Sequence, residues 1–493
     1  MEDSSFGFPA WLRLTHFANF ILITLLVRSG IQILADHPRL YWKIACKPGT
    51  EWLKLTRRKI PEGELYTSMD DAVDVSPWLA LPGGRHSLGI GRHWHFLCVI
   101  LWILNGTTYV TLLFATSNWQ RLLPTSWQIV PDAFDTFTRY ASFQLPPPGA
   151  FHPYDPLQQL AYAAVVFVLA PLAILTGAAM SPAVAAGFPW FHRLFINRQV
   201  ARSLHFLVMA AFVCFLVVHV TLVVLTGFST NMNHIVFGAV SGESNEAALI
   251  GIVAIASVIL LNVLITIYSR CAPRVVQTLT GLITDGAMRR LFGHLRSRQS
   301  YSNAEITEYF WVNGRPPIAN EEYKALVEQN FAGYELAVAG LVEQPLNLSV
   351  TDLMALPKQT QTTMHNCIQG WSGIAEWSGI RLSEIMLRCK PMTNARYVIF
   401  HTFDYDKDGR EYYTSLTIEE AVFPQTILAY EMNSMPLPLA HGAPLRLRAE
   451  TKLGFKMAKF VRSIEFVASY KSIGLGFGGY REDTQFYGTV ANI

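Results

Sequence analysis

The chain has 493 residues, 51% of them hydrophobic and only 15% charged, with a formal net charge of +3. That length exceeds one ordinary domain, the apolar excess excludes a purely soluble protein, and the small charge excludes a nucleic-acid binder. The six cysteines, Cys46, Cys98, Cys214, Cys271, Cys367 and Cys389, include no Cys-x-x-Cys pair, which excludes a disulfide framework.

The first ten residues carry neither a basic n-region nor twin arginines, so no export signal is expected there. Five apolar stretches follow, at about 11–34, 94–116, 157–180, 203–227 and 247–269. Each can cross a hydrocarbon core of roughly 30 Å as a helix rising 1.5 Å per residue. The first is the weakest candidate because it contains Arg13 and Arg28. Cys98 and Cys214 fall inside these runs and read as small buried hydrophobes. Beyond Arg270 the chain turns polar. Residues 273–299, with Arg289, Arg290, Arg296 and Arg298, read as a basic amphipathic linker at the membrane surface. From residue 300, short alternating runs such as Tyr397–Phe400 and Arg446–Arg448 predict strands. The expected architecture is an all-α transmembrane bundle over 1–272, the linker, and an α/β, largely β, soluble domain over 300–493.

The histidines of the front half are ordered. His16 opens the first span, His93 and His95 the second, and His205 and His219 share the fourth. Fourteen residues at 100° each return nearly to the same helix face, about 21 Å along the axis. Alternating span directions then pair His95 with His205 on one side of the bilayer and His16 with His219 on the other. Either pair would suit bis-histidine ligation of a haem b. The alternative is that these histidines only hydrogen-bond within the bundle, but intramembrane ionisable groups are costly and usually functional. His93 competes with His95, which lies deeper in its span. Gly30, Gly106, Gly177 and Gly227 would allow close packing against flat macrocycles or between helices.

The residues Arg13-x-x-His16, Asp36-His-Pro-Arg-Leu-Tyr-Trp42, Gly91-Arg-x-x-His95-Phe96 and His205-x13-His219 resemble the di-haem cytochrome b subunits of formate dehydrogenases and thiosulfate reductases. The resemblance covers about residues 10–230. It implies two haems b in a four-helix core and electron exchange with quinone, the fifth span carrying the chain to the soluble domain.

In the last third, Asn313-Gly-Arg-Pro-Pro317, His365-Asn-Cys-Ile-Gln-Gly-Trp-Ser372, Ala429-Tyr-Glu-Met-Asn433, Pro436 through Arg446 and Gly454-Phe-Lys-Met-Ala-Lys459 occur in the order found in the sulfite oxidase family of molybdenum enzymes. The resemblance spans nearly all of 300–480. It implies a molybdopterin-binding fold in which the Cys367 thiolate ligates molybdenum. It further implies that Asn313, His365, His441, Arg446, Lys456 and Lys459 hold the cofactor. A soft thiolate suits such a metal, and Arg and Lys suit a cofactor phosphate. Cys389 reads as structural. No basic residue follows Cys367 before Glu376, unlike the sulfite oxidases. The Cys-x-x-Gly-Trp-Ser form is more similar to the catalytic subunit of methionine sulfoxide reductases.

The expected function is a membrane-bound oxidoreductase, quinol electrons passing through two haems to reduce a small S-oxide or N-oxide at molybdenum. The competing readings are substrate oxidation into the quinone pool and a non-catalytic electron-transfer module. Expected partners are membrane lipid, the quinone pool and a small-molecule substrate, with no nucleic acid; membrane cytochromes often pair, so a homodimer stays open. The loop at about 35–92 holds nine Lys/Arg, whereas 228–246 holds none. The positive-inside rule therefore predicts a bacterial inner-membrane protein with its soluble domain in the cytoplasm rather than the periplasm.

Overall fold

The computed structural model describes residues 7–145, 154–292 and 299–488. Contacts gather the chain into two compact units, and neither is a continuous stretch. One comprises Met1–Gly30, Trp94–Ala178 and Leu204–Cys271; the other comprises Ile31–His93, Ala179–Ser203 and Ala272–Ile493.

The first unit is helical. Among the described residues, five helices are long and apolar enough to cross a membrane: α1 (Ala10–Ala35), α2 (Leu88–Ala115), α3 (Pro156–Ala179), α4 (Arg198–Leu225) and α5 (Asn245–Cys271). Helix α3 carries one π-turn at Val165–Leu169. Asp155 caps its start by accepting from the Gln158 N–H, ahead of a proline at the first helical position. Ile23, Val208 and Phe212 form the buried centre of the bundle, with Val27, Trp102 and Leu169 packed around them. Arg28 does not disqualify the first span. Its guanidinium donates to Asn262 Oδ1 (2.9 Å) and Thr266 Oγ1 (2.6 Å) on α5, as a cation held among apolar helices must. Arg13 likewise donates to the Val236 carbonyl. Cys98 is buried as expected, but Cys214 lies on the exposed surface of its helix; an apolar run alone does not say which residues face the bundle.

The second unit is sheet-rich. Its strands are β1 (Glu335–Gly340), β2 (Leu346–Ser349), β3 (Lys358–Asn366), β4 (Ser372–Arg381), β5 (Tyr397–Tyr405), β6 (Glu411–Thr417), β7 (Thr426–Met432), β8 (Met435–Pro436), β9 (Arg446–Ala449) and β10 (Val461–Val467). One sheet runs β8-β7-β4-β3, with β9 also pairing β7; the other runs β2-β1-β10-β5-β6. Among the described strands, β10 with β1 is the parallel pair. The apolar core includes Val338, Phe400, Leu428, Leu447, Phe460 and Ile464, together with Cys389, which is wholly buried as a structural cysteine should be. Residues Pro273–Phe292 form a helix, α6. Its Gln277 donates to the carbonyls of Glu482 (3.1 Å) and Tyr487 (2.7 Å), while Leu279, Leu282 and Ile283 stay exposed. Arg296 and Arg298 of the expected linker lie outside the described residues.

The segment after α1 is also built into this unit. Arg39 and Leu40 pair with Lys54 and Leu53 in a short ribbon. Arg39 grips Asp71 through Nε and Nη2 at 2.9–3.0 Å and reaches Glu51 at 2.5 Å, and all three side chains are at most 8% exposed. A buried carboxylate is tolerated only with such pairing.

Candidate functional site

In the helical unit, the order of the spans brings the four histidines together in two pairs. The ring centroids of His16 and His219 are 6.3 Å apart, and those of His95 and His205 are 6.4 Å apart. An iron held between two imidazoles, with metal–nitrogen bonds of about 2 Å, spaces their centroids by about 6.3 Å. Both pairs therefore fit the width of a bis-histidine site. His95 Nδ1 hydrogen-bonds Ser29 Oγ (3.1 Å), and His205 Nδ1 hydrogen-bonds Thr176 Oγ1 (3.0 Å). His219 Nδ1 meets the Tyr162 hydroxyl at 3.5 Å. Partners on Nδ1 set the ring orientation and suit Nε2 to a metal. A Cβ at Gly30 would touch the His95 ring at 3.7 Å and one at Gly177 the His205 ring at 3.5 Å, so two of the four glycines flank this pair. Gly106 faces open space, and Gly227 instead precedes a short helix with φ +112°. His93 is not brought to His205; it groups with the second unit.

In the second unit, Cys367 sits at the tip of the β3–β4 hairpin, one residue past the Asn366–Ser372 pair. The tip closes by the Cys367 N–H donating to the Trp371 carbonyl and the Gly370 N–H to the Cys367 carbonyl, both at 3.1 Å. Gly370 has φ +110°, and a Cβ there would lie 2.8 Å from Arg202 Nε, so the turn and the close approach both require glycine. Arg198 at the start of α4 donates to the carbonyls of Trp371 (3.2 Å), Cys367 (3.3 Å) and Gly370 (3.4 Å). Gln199 adds bonds to the Gly370 carbonyl and Ser372 Oγ, each 3.0 Å.

The Cys367 thiol is buried, with Asn313 Nδ2 and Gln369 Oε1 each 3.7 Å from Sγ. Burial pushes it up to about 11 against the hydrogen bonds of Gln369 and Asn313. Alone it is a protonated, unreactive thiol; a coordinated metal would remove its proton. A buried thiol of this kind could serve a metal as a soft ligand.

Beside it lies a cationic group. His365 stacks on Trp371 (5.1 Å, 29°) and accepts at Nδ1 from Arg448 (2.9 Å), which is itself paired with Glu450 at 2.8 Å. A Cβ at Gly454 would fall 2.3 Å from His365 Nε2, so glycine is needed there too. Burial and the neighbouring arginines hold His365 well below its ordinary value. Arg446 donates to the His441 carbonyl (3.0 Å), while its buried Nε has no hydrogen-bond partner among the described residues. Lys459 donates to the carbonyls of Gly314 (3.1 Å) and Ala440 (3.0 Å). Burial lowers Arg446 to about 9, helped by Arg448; Lys459 falls to about 7 through burial and Arg446. His441 drops to about 3 through burial, Arg446 and Lys459. Cations that depress one another and leave a buried donor unused fit an anionic group such as a cofactor phosphate.

Lys456 is not brought into this group. Its Nζ pairs with Glu482 (2.5 Å) and donates to the Gly478 carbonyl (2.9 Å), which commits its charge to the C-terminal segment. Sequence reasoning missed Arg198, Gln199, Arg202, Gln369 and Arg448. Only Arg448 carried a signal, standing two residues from Arg446 on the same face of a strand.

Residues 7–238 match the family described as prokaryotic cytochrome b561, and residues 324–472 match the oxidoreductase molybdopterin binding domain. A candidate protein-methionine-sulfoxide reductase subunit, YedZ1, of Azospira oryzae is 35% identical over 32% of this chain and 55% of its own. The protein-methionine-sulfoxide reductase catalytic subunit MsrP of Xanthomonas campestris pv. campestris is 33% identical over 29% of this chain and 48% of its own. This chain thus spans about half the length of the curated relatives it matches. Among solved structures, the sulfane dehydrogenase SoxCD of Paracoccus pantotrophus matches at 23% identity over 28% of this chain and 39% of that one, with a TM-score of 0.26.

Proposed function

As an integral membrane protein that joins a prokaryotic cytochrome b561 domain to an oxidoreductase molybdopterin-binding domain, this chain is, we propose, a quinol-dependent reductase of small S-oxides or N-oxides. His16 with His219 and His95 with His205 would each hold one haem b, and Cys367 would ligate molybdenum. Asn313, His365, His441, Arg446 and Lys459 would hold the pterin cofactor, whereas Lys456 is spent on Glu482 and the Gly478 carbonyl. When bound, molybdenum supplies two-electron oxygen-atom chemistry and the haems carry electrons singly. The reaction balances as S-oxide plus quinol giving sulfide, water and quinone, the two protons of the water matching the two released by quinol.

The observation that carries this reading is the setting of Cys367, a buried thiol flanked by Asn313 and Gln369, in the same unit as a buried Arg446 donor with no partner among the described residues. The chain's residues do three things there. Asn313 and Gln369 orient the sulfur, Trp371 and Trp311 keep water from it, and Arg198 and Gln199 fix the loop carbonyls. Sulfite is disfavoured because no basic residue stands between Cys367 and Glu376, and the Arg198 and Arg202 donors go to backbone carbonyls. Methionine sulfoxide reductases among the relatives support an S-oxide. The test is to reduce the purified protein with limiting dithionite and add substrates anaerobically. S-oxides should reoxidise the haems at a rate that saturates with substrate; haems that stay reduced with every S- and N-oxide would exclude the reading.

We propose further that the second unit faces the cytoplasm. Alternation of five spans puts 31–93, 179–203 and the tail after α5 on one side, and these are the segments that form one unit. They hold most of the loop lysines and arginines, while the opposite loops have Arg121 and Arg139 and none in 228–246. A C-terminal fluorescent-protein fusion should glow and a C-terminal alkaline phosphatase fusion should be inactive; the converse pattern would put the unit outside.

A further inference from the structure

Three polar side chains in the loop between α1 and α2 are wholly buried yet hydrogen-bond to nothing among the described residues. Tyr41 packs in one cluster with Cys367, Trp311 and Trp371, and its hydroxyl has no partner. His37 stacks on Tyr41 (6.0 Å, 20°) and meets Trp311 edge-on (5.2 Å), with both ring nitrogens unpartnered. Its Nδ1 lies 3.5 Å from Asp71 Oδ2 without forming a bond. Ser68 Oγ is unpartnered too, although the backbone of Ser68 is pinned: its N–H donates to Val312 O (2.8 Å) and its carbonyl accepts from Gln369 Nε2 (3.3 Å). Gln369 is the residue whose Oε1 faces Cys367 Sγ.

Buried polar groups are nearly always satisfied, so three orphans on one loop, all near one cysteine, need an occupant. We propose that this loop is the substrate-facing side of the site at Cys367, the hydroxyls of Tyr41 and Ser68 and the ring of His37 binding the oxygen of a small neutral S-oxide or N-oxide. The proposal rests on the molybdenum reading above and adds residues that lie outside the molybdopterin-domain match at 324–472. The chemistry of the loop selects the ligand. Three cations beside this loop are committed: Arg39 to Asp71 and Glu51, Arg202 to the carbonyls of His37 (2.6 Å) and Arg39 (2.7 Å), and Arg198 to those of Cys367, Gly370 and Trp371. What remains are neutral O–H and N–H groups, which match a polarised S–O or N–O oxygen and leave a dianion without a counter-charge. A cytochrome-side loop thereby becomes a specificity element of the soluble site.

The variants Tyr41→Phe and Ser68→Ala in the full-length protein test this. Each removes a hydroxyl that bonds to no group among the described residues, so molybdenum content, haem spectrum and melting temperature should match the wild type. The Mo(V) paramagnetic resonance signal should change in its exchangeable-proton coupling for Tyr41→Phe. The KM for dimethyl sulfoxide and trimethylamine N-oxide should rise about tenfold in each variant, with kcat changed far less. Mo(V) spectra and KM values superimposable on wild type would overturn the proposal and leave buried water as the occupant. Loss of molybdenum from both variants would also overturn it, since the hydroxyls would then be structural. If the wild type turned over neither oxide while Tyr41→Phe still altered the Mo(V) signal, the loop's place at the site would stand and the reductase reading would fail.

Discussion

Cys367→Ser is expected to cut S-oxide turnover at least roughly a thousandfold, about 4 kcal/mol of transition-state stabilisation, while both haems remain. A serine oxygen is smaller, harder and far less acidic than a thiol, so it neither reaches the position of Sγ nor offers a soft anionic ligand. The fold has little reason to fail. Among the described residues Sγ makes two long hydrogen bonds, to Asn313 and Gln369, and the hairpin tip is held by backbone bonds and by Arg198. The four paired histidines belong to the other unit, so their environment is untouched. Turnover is read from the rate at which an S-oxide reoxidises dithionite-reduced haem, and the site from the Mo(V) signal. A variant that kept a tenth of wild-type activity would remove Cys367 from the metal.

The different fates of neighbouring residues show what a sequence carries. The spans were legible because an apolar run either is or is not about twenty residues long; the five helices lie within a few residues of the expected stretches, apart from α2 and α4, which start about five residues earlier. The histidine pairing was legible because helix order and a fourteen-residue spacing leave one antiparallel solution, and the two centroid distances follow it. Strands came from alternation, and β5 and β9 begin at the expected Tyr397 and Arg446. What could not be read was the partnership of residues far apart in the chain. Gln369 reaches Asp36 across 333 positions, and Arg198 reaches Cys367 across 169. Nothing local marks either as a partner. Arg198 and Arg202 were legible only as positive charge flanking a span, although their donors are aimed at particular carbonyls. Lys456 shows the converse limit: a motif position carries its residue type but not the acid that meets it, here Glu482. The Asp36–Trp42 segment was read with the cytochrome, yet its Arg39 and Tyr41 are bound into the sheet-rich unit.

His205→Leu is the sharpest test of the electron path, and the expected result is one haem per chain instead of two, with molybdenum retained. Leucine is a good helix former and apolar, so α4 should persist through the span and still carry His219 on the same helix. The Thr176 hydroxyl, which meets His205 Nδ1, already bonds the Leu172 carbonyl (2.6 Å) and is not left unsatisfied by the change. His95 alone cannot hold a low-spin iron, so the haem between His95 and His205 should be lost or turn high-spin, while the His16–His219 haem keeps its spectrum. With one of the two proposed electron carriers gone, reoxidation of the remaining haem by S-oxides should fall at least about a hundredfold. His93→Leu provides the contrast. It removes an imidazole two residues from His95 that groups with the other unit, and both haems should survive. Pyridine haemochrome per protein, metal analysis and reoxidation kinetics decide the matter together. Two intact haems in His205→Leu, or one lost in His93→Leu, would break the pairing on which the path depends.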